Sequence, residues 1–174
     1  MKIFSNSIFL GAFGVLAALA VSGRLLAQVS APAAYPATIQ VNLTRTWDPV
    51  APETSPINLL TRPVSDVKQL SAYYDGFGRP LESVSKQTSP LGNDVVGAST
   101  YDSWGREVYQ YLPFVSNVAQ SGDVANDGNF KLNPFQQQAA FYSDANANSP
   151  IKGQGETWLY SKVNYENSIQ NRVI

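Results

Sequence analysis

Short segments of mixed apolar and polar residues, separated by polar turns, run through most of this 174-residue chain. Residues 39–44 alternate apolar and polar positions with period two, which is typical of a half-buried strand. Five further segments have the aromatic and β-branched content that favours strands: 67–74, 80–86, 95–101, 106–112 and 158–165. The sequence therefore predicts a mainly β fold built from antiparallel β-hairpins.

Prolines and polar residues mark where these strands should be interrupted. Four prolines between positions 48 and 64 predict a loop or extended linker, because proline cannot donate a hydrogen bond to a sheet ladder. The segments 116–129 and 144–155 are rich in Asn, Asp, Ser and Gly and predict long polar loops. One short helix is expected over 133–142, with its asparagine as N-cap and its proline at the first helical position.

One six-residue motif occurs twice. The copies are Tyr74-Asp75-Gly76-Phe77-Gly78-Arg79 and Tyr101-Asp102-Ser103-Trp104-Gly105-Arg106, and both read Tyr-Asp-x-aromatic-Gly-Arg. An aspartate side chain can bond to the backbone two residues further on, and glycine accepts a positive φ without steric cost. Each copy, called here the first and the second turn unit, therefore predicts a strand, a tight turn and a second strand.

The charged residues of the two turn units have alternative interpretations. Asp75 and Asp102 are candidates for a carboxylate pair in acid–base catalysis, but turn aspartates that accept backbone N–H bonds are favoured. Arg79 and Arg106 are candidates for binding an anionic ligand. The favoured interpretation is that each arginine braces its own turn or a neighbouring strand.

The repeated motif resembles the core of the YD repeat, which is found in RHS-repeat proteins and in the shells of related insecticidal toxin complexes. Other short motifs, in the same order, resemble the domain of unknown function that precedes the repeats in secreted bacterial RHS proteins. These motifs are 45–49, 61–69, 111–114, 133–135, 160–162 and 171–173. The resemblance covers about residues 40–174, with YD-like units near 67–88 and 95–112.

The resemblance implies a non-catalytic structural module, the N-terminal part of a secreted RHS-repeat protein whose repeats form a β-shell around a C-terminal effector or toxin. It implies downstream YD repeats of a longer parent chain as partners, together with that toxin or effector. The chain stops before a long repeat array, so we expect a truncated fragment or a separated N-terminal piece. The implied repeat residues are Tyr74, Asp75, Gly78, Arg79, Tyr101, Asp102, Gly105 and Arg106.

The N-terminus has the layout of a secretory signal peptide. Lys2 precedes an apolar run over 8–21, and small residues lead to a predicted cleavage between Ala27 and Gln28. The prediction is a signal peptide over 1–27, a flexible leader over 28–37 and a β domain over 38–174, with an uncleaved anchor as the alternative. We expect export to the periplasm, cell surface or extracellular space, with membrane contact only through the signal peptide.

Composition restricts the chemistry. The chain has no histidine and no cysteine, which excludes Ser–His and Cys–His nucleophilic sites and thiolate or histidine zinc sites built from this chain alone. The net charge is −1 and no basic run occurs, so nucleic acid is not an expected partner. No cofactor is expected, and the predicted protein is not an enzyme. A glycosidase using carboxylates alone is the remaining enzymatic alternative.

Exposed aromatic residues provide an alternative function. A secreted carbohydrate- or surface-binding β module could stack sugars on a set of rings: Trp47, Phe77, Trp104 and Trp158. Packing of these rings in the core and between repeats is the favoured interpretation.

The first polar loop partly resembles a calcium-binding loop. Its oxygen-bearing residues are Asp123, Asn126, Asp127 and Asn129. Their spacing does not match the calcium-loop pattern, and no glutamate follows at the twelfth position. A metal site is therefore not predicted.

Overall fold

Two antiparallel sheets form most of the regular structure in this computed structural model, which describes residues 29–117 and 123–174. The large sheet contains, in spatial order, Asn42–Pro49 (β1), Val67–Tyr74 (β2), Pro80–Ser85 (β3), Val95–Ala98 (β4) and Phe114–Val115 (β6). The small sheet pairs Tyr109–Tyr111 (β5) with Tyr160–Lys162 (β7), and two helices span Pro56–Thr61 (α1) and Pro134–Tyr142 (α2). The predicted mainly β fold is confirmed.

The core lies on one face of the large sheet. Residues alternate between buried and exposed along β2, as expected for a strand covered on one face. One row of directly opposed residues crosses four strands, from Ser71 through Val84 and Val96 to Phe114. All four are buried, and the three apolar members form the core cluster together with Tyr73.

Helix α2 covers the end of this sheet next to β6 and β4. Phe135 is buried there, and its ring centroid lies 4.7 Å from that of Tyr111. The predicted helix is confirmed, with Asn133 at the N-cap and proline in the first turn. The Asn133 side chain does not cap a backbone N–H; its Oδ1 accepts a hydrogen bond from Gln137 Nε2 at 2.8 Å.

Two predictions near the N-terminus are wrong. The first strand covers Asn42–Pro49 and not 39–44, and the predicted loop 48–64 contains α1. Pro49 is compatible with strand structure because it ends β1, which is the edge strand of the sheet. Pro56 starts α1, where the backbone N–H would have no intrahelical partner.

The two turn units continue differently. The first connects β2 and β3, which pair as an antiparallel hairpin with a register shift between Tyr73 and Tyr74. The second lies between β4 and β6, which also pair antiparallel, with Val96 opposite Phe114, and an isolated bridge joins Ser99 to Gln110 nearer the turn. The second strand–turn–strand unit is therefore present, but the continuous exit strand predicted over 106–112 is not, because the residues that return to β4 are those of β6. Strand β5 pairs with β7 instead.

The predicted signal peptide and its cleavage site at Ala27 and Gln28 lie outside the described residues. The described part of the leader contacts the domain: Tyr35 N–H donates to the Leu132 carbonyl at 2.6 Å, and Gln136 Nε2 donates to the Pro32 carbonyl at 2.7 Å. Burial raises the pKa of Tyr35 to about 12. Across residues 29–117 and 123–174, neither helix has the length and apolar character needed to cross a membrane.

Candidate functional site

The two turn units have the same backbone geometry. In the first, Asp75 N–H donates to the Arg79 carbonyl at 3.0 Å and Gly78 N–H donates to the Asp75 carbonyl at 3.1 Å. The corresponding bonds of the second unit measure 3.0 and 2.9 Å. Both motif glycines have a φ of +76°, a conformation that other residues adopt at a cost. The glycine in the motif is therefore a backbone requirement.

The motif aspartate closes the turn with its side chain. Asp75 Oδ1 accepts the N–H groups of Phe77 and Arg79, both at 2.9 Å, while Oδ2 accepts Arg79 Nε and Nη2, both at 2.7 Å. The second unit repeats these four bonds at 2.9, 2.9, 2.8 and 2.8 Å. The interpretations of the aspartates as turn formers and of the arginines as braces are confirmed.

These bonds also define the acid–base properties of the two aspartates. Desolvation opposes ionisation, but the bonds from the backbone and side chain of the motif arginine lower the pKa of Asp75 and of Asp102 below the ordinary value. A carboxyl acting as general acid near neutral pH needs the opposite shift. The arrangement stabilises a turn and does not prepare a proton donor.

Each motif arginine contacts a tyrosine further along the chain, Tyr101 of the second unit or Tyr165. The Arg79 guanidinium carbon lies 4.6 Å from the ring centroid of Tyr101, and that of Arg106 lies 5.1 Å from the ring centroid of Tyr165. Each guanidinium also lies near the aromatic residue of its own unit, at 5.3 and 5.4 Å. Distances below 6 Å are those of cation–π contacts. Successive units are therefore joined by a contact, called here the ring-to-cation contact, between an arginine guanidinium and a tyrosine ring.

The tyrosine hydroxyl makes a second recurring contact. Tyr101 Oη donates to the carbonyl of Pro80, the residue after Arg79, at 2.8 Å. Tyr165 Oη donates to the carbonyl of Glu107, the residue after Arg106, at 3.5 Å. At two places, therefore, a tyrosine ring contacts an arginine guanidinium while its hydroxyl donates to the backbone carbonyl of the residue after that arginine.

A third turn unit lies at residues 165–172. Glu166 N–H donates to the Arg172 carbonyl at 2.9 Å, and Arg172 Nε donates to Glu166 Oε1 at 2.9 Å. Asn171 has a φ of +53° and takes the position of the motif glycine. Tyr165 bridges Val173, the register found on either side of the first turn. This unit has the same plan with a longer loop.

The sequence prediction missed this third unit. Glutamate replaces aspartate at its second position, asparagine replaces glycine before the arginine, and the loop is longer. A search for an aromatic residue, an acid and later an Asn-Arg or Gly-Arg pair would have found it, because asparagine also tolerates positive φ. The three turns therefore share a backbone geometry and not the same residues.

A buried lysine forms a second site that the sequence prediction missed. Lys131 is 1% exposed, and its Nζ donates to Asp94 Oδ2 at 2.8 Å, Asp127 Oδ1 at 2.9 Å and the Val124 carbonyl at 2.6 Å. Desolvation lowers the pKa of the lysine, but the two carboxylates outweigh it and raise that pKa. The polar loop that partly resembles a calcium-binding loop therefore surrounds the ammonium group of Lys131.

The calcium-like residues therefore have other partners. Asp127 binds Lys131, and Asp123 Oδ2 accepts Leu132 N–H at 2.9 Å and Gln137 Nε2 at 3.0 Å. Within the two described ranges, acidic residues do not cluster in a group of three or more that could hold a metal ion. The arrangement is that of an internal ion pair.

Asp94 connects the loop to the sheet. Its Oδ1 accepts Gln87 N–H at 2.9 Å, and its Oδ2 accepts Gly128 N–H at 2.8 Å in addition to the ammonium of Lys131. Nearby, Glu82 Oε2 accepts Lys131 N–H at 3.0 Å, whereas Glu82 Oε1 is buried with no hydrogen-bond partner within the described part of the chain. Burial raises the pKa of Glu82 well above its ordinary value.

The free energy of unfolding of the Glu82→Gln variant, relative to that of the native protein, is expected to increase as pH rises. The folded protein holds the Glu82 proton to higher pH than the unfolded chain, so the free energy of unfolding falls as pH rises from about 4.3 towards the raised pKa. Glutamine keeps an oxygen for Lys131 N–H and does not titrate. Urea unfolding of both proteins near pH 4 and near pH 7 measures the difference. A difference independent of pH would contradict the expected titration.

The four rings proposed for sugar stacking do not form one platform. Trp47 is half-buried, while Phe77, Trp104 and Trp158 are exposed. Among the ring contacts of the described residues, none joins two of the four. The packing interpretation holds only in part: Trp158 lies 5.8 Å from Tyr160 by ring centroid, whereas Phe77 is 87% exposed.

A cavity of about 600 Å³ lies beside the junction of the first two units. Arg79 and Tyr101 line one part of it, and Tyr35, Tyr109 and Tyr111 line others. Tyr109 and Tyr111 also form a ring cluster with the tyrosine of β7, with centroids 5.1 and 5.5 Å away. The cavity is thus bordered by the ring-to-cation contact.

Gly105→Ala is expected to destabilise the fold more than Gly78→Ala. Alanine at a positive φ costs about 1–2 kcal/mol at either position. A Cβ at Gly105 would additionally lie 3.1 Å from Arg79 Nη1, whereas a Cβ at Gly78 meets nothing within 4 Å. Urea unfolding of both variants compares the same backbone penalty with and without disturbance of the junction. Equal losses would show that Arg79 moves aside freely.

Comparison with protein families gives a match over most of the chain. The model of a family described as a domain of unknown function, DUF6443, matches residues 45–174. Searches of curated proteins and of solved structures found no match to the chain. The matched range includes all three turn units and the Lys131 cluster.

Proposed function

This chain belongs to the DUF6443 family, and from that premise we propose that it is a non-catalytic structural module. It forms the N-terminal part of a secreted RHS-repeat protein, and its turn units are divergent YD repeats. Its partners are the downstream YD repeats of a longer parent chain and the C-terminal toxin or effector that those repeats enclose. The module is exported by its signal peptide to the periplasm, the cell surface or the outside.

The contact between successive turn units carries this proposal. In the first two units the charged side chains are used within the turn, where aspartate binds arginine at 2.7 or 2.8 Å. The remaining face of the arginine contacts the tyrosine of the next unit. A unit that completes its neighbour in this way suits an array of stacked repeats. The charged side chains therefore bond within the turn and contact the next unit, so they stabilise the array.

Reading the coding sequence beyond codon 174 tests this function. We expect Tyr-Asp-x-x-Gly-Arg units to continue in frame, or after one frameshift or contig break. A clean stop codon with no such units downstream would reject the shell function for this chain.

The tyrosine-lined cavity supports a second candidate function, a secreted carbohydrate- or surface-binding module. Aromatic side chains around a concave surface suit the stacking of sugar rings. Tryptophan fluorescence titrated with a glycan panel tests this candidate, since Trp104 and Trp158 are exposed and Trp158 contacts the tyrosine cluster. Saturable quenching would support it, and unchanged fluorescence across the panel would reject it.

A further inference from the structure

The ring-to-cation contact does not depend on how far apart the two units lie in sequence. Arg79 and Tyr101 are joined by the short connection 80–100, whereas Arg106 and Tyr165 are joined by the long connection 107–164. The long connection contains β5, β6, α2 and β7. Both connections nevertheless bring a tyrosine to the preceding arginine, at 4.6 and 5.1 Å. The surface presented by the arginine, and not the linker, defines the contact.

Arg172 presents the same surface without a ring on it. Its Nε is held by Glu166, as the other two arginines are held by their aspartates. Its side chain is 71% exposed, against 35% for Arg79 and 14% for Arg106. Within residues 29–117 and 123–174, no aromatic ring lies over its guanidinium group.

The backbone after Arg172 also matches that of the earlier units. Val173 bridges Tyr165, and Ile174 N–H donates to the Asn164 carbonyl at 2.9 Å, so a strand begins here as it does after Arg79. The Val173 carbonyl thereby takes the position of the two carbonyls that accept a tyrosine hydroxyl. Both groups that receive a tyrosine elsewhere are present at the third unit.

We propose that the Arg172 guanidinium and the Val173 carbonyl form a docking site for the tyrosine of a further Tyr-Asp-x-x-Gly-Arg turn unit. The ring face lies on the cation, and the phenol hydroxyl donates to the carbonyl. A phenylalanine would keep the first contact and lose the second. This inference rests on the proposed structural function and specifies the surface through which the module binds its neighbour.

An extended chain offers such a unit at a spacing that the protein already uses. Residues 82–112 follow Ile174, so Val173 is kept and the second copy of Tyr101 stands as far from Arg172 as Tyr101 stands from Arg79. The measurement is the rate at which phenylglyoxal modifies Arg172, followed by peptide mapping. Arg62 is the internal control, because its side chain is 42% exposed and binds Glu53 outside any turn unit.

We expect Arg172 to react several-fold more slowly in the extended chain than in the native chain, with the Arg62 rate unchanged. Tyr101→Ala in the appended copy should restore the native rate, and Tyr101→Phe should give an intermediate rate. Equal Arg172 rates for appended tyrosine and alanine would overturn the proposal. Protection of Arg172 in the native chain that grows with protein concentration would also overturn it, since a second copy would then be the occupant.

A second extension guards against a misfolded appendage. It carries residues 109–172 after Ile174 and offers the ring through the long connection, at the spacing between Arg106 and Tyr165. Unprotected Arg172 in both extensions would reject the docking site. These outcomes are independent of the downstream coding sequence: absence of further repeats refutes the proposed function, whereas unprotected Arg172 refutes this site alone.

Discussion

Lys131→Met is expected to lower the free energy of unfolding by about 3–5 kcal/mol, because it leaves Asp94 charged, buried and without its counterion. The methionine has a similar length but cannot donate to the carboxylates or to the Val124 carbonyl. Urea unfolding followed by circular dichroism measures the loss. Lys152→Met is the matched control, since Lys152 is exposed, and should change stability by less than about 0.5 kcal/mol.

A second substitution identifies the cause of that loss. Asp94→Asn in the Lys131→Met background removes the uncompensated charge. Asp94 Oδ1 accepts the Gln87 N–H and Oδ2 accepts the Gly128 N–H, so the single asparagine oxygen keeps one of these two bonds. The loss of the other bond costs less than an unpaired buried charge. The double variant should therefore be more stable than Lys131→Met alone. A double variant that is less stable would show that the buried charge is not the source of the loss.

Phe114→Ala is expected to cost about 3–5 kcal/mol. The side chain is 2% exposed and ends the buried row that starts at Ser71, at the edge of the sheet covered by α2. Its removal opens a cavity that neither the sheet nor the helix can fill without moving. Thermal and urea unfolding both measure this loss.

Phe77→Ala is the matched control for that prediction. Phe77 is 87% exposed and contacts the Arg79 guanidinium at 5.3 Å, so its removal should cost no more than about 1 kcal/mol. Similar losses for the two variants would contradict the assignment of the core to the β6 and α2 side of the sheet.

The two kinds of site hold different parts of the molecule. The Lys131 cluster ties the loop over 123–131 to the large sheet through Asp94. The turn units instead join the large sheet, the small sheet and the C-terminal turn through Tyr101 and Tyr165. The Lys131 cluster is buried, whereas the side chain of Arg172 in the third turn unit is exposed.

Features closed within a few residues were determined by the sequence itself. Strand β2 was predicted with its observed bounds, and β3 within one residue. The roles of Asp75, Gly78 and Arg79 followed from the motif, because every bond that closes the turn joins residues at most four positions apart. Helix α2 was predicted from the asparagine and proline at its start, which are local signals even though the Asn133 side chain bonds to Gln137 and not to a backbone N–H.

Tertiary structure alone decided the features that depend on distant partners. The segment after the second turn divides between two sheets, because Tyr109–Tyr111 pairs with the distant strand β7 while Phe114–Val115 pairs with β4, and no local pattern records the first pairing. Lys131 meets Asp94 across 37 positions, so its burial could not be predicted from its neighbours. The third turn unit was missed because positive φ and an acid–arginine bond are requirements of geometry that Asn171 and Glu166 also satisfy. Local hydrogen bonding fixed the turns, and long-range pairing and burial fixed what the turns contact.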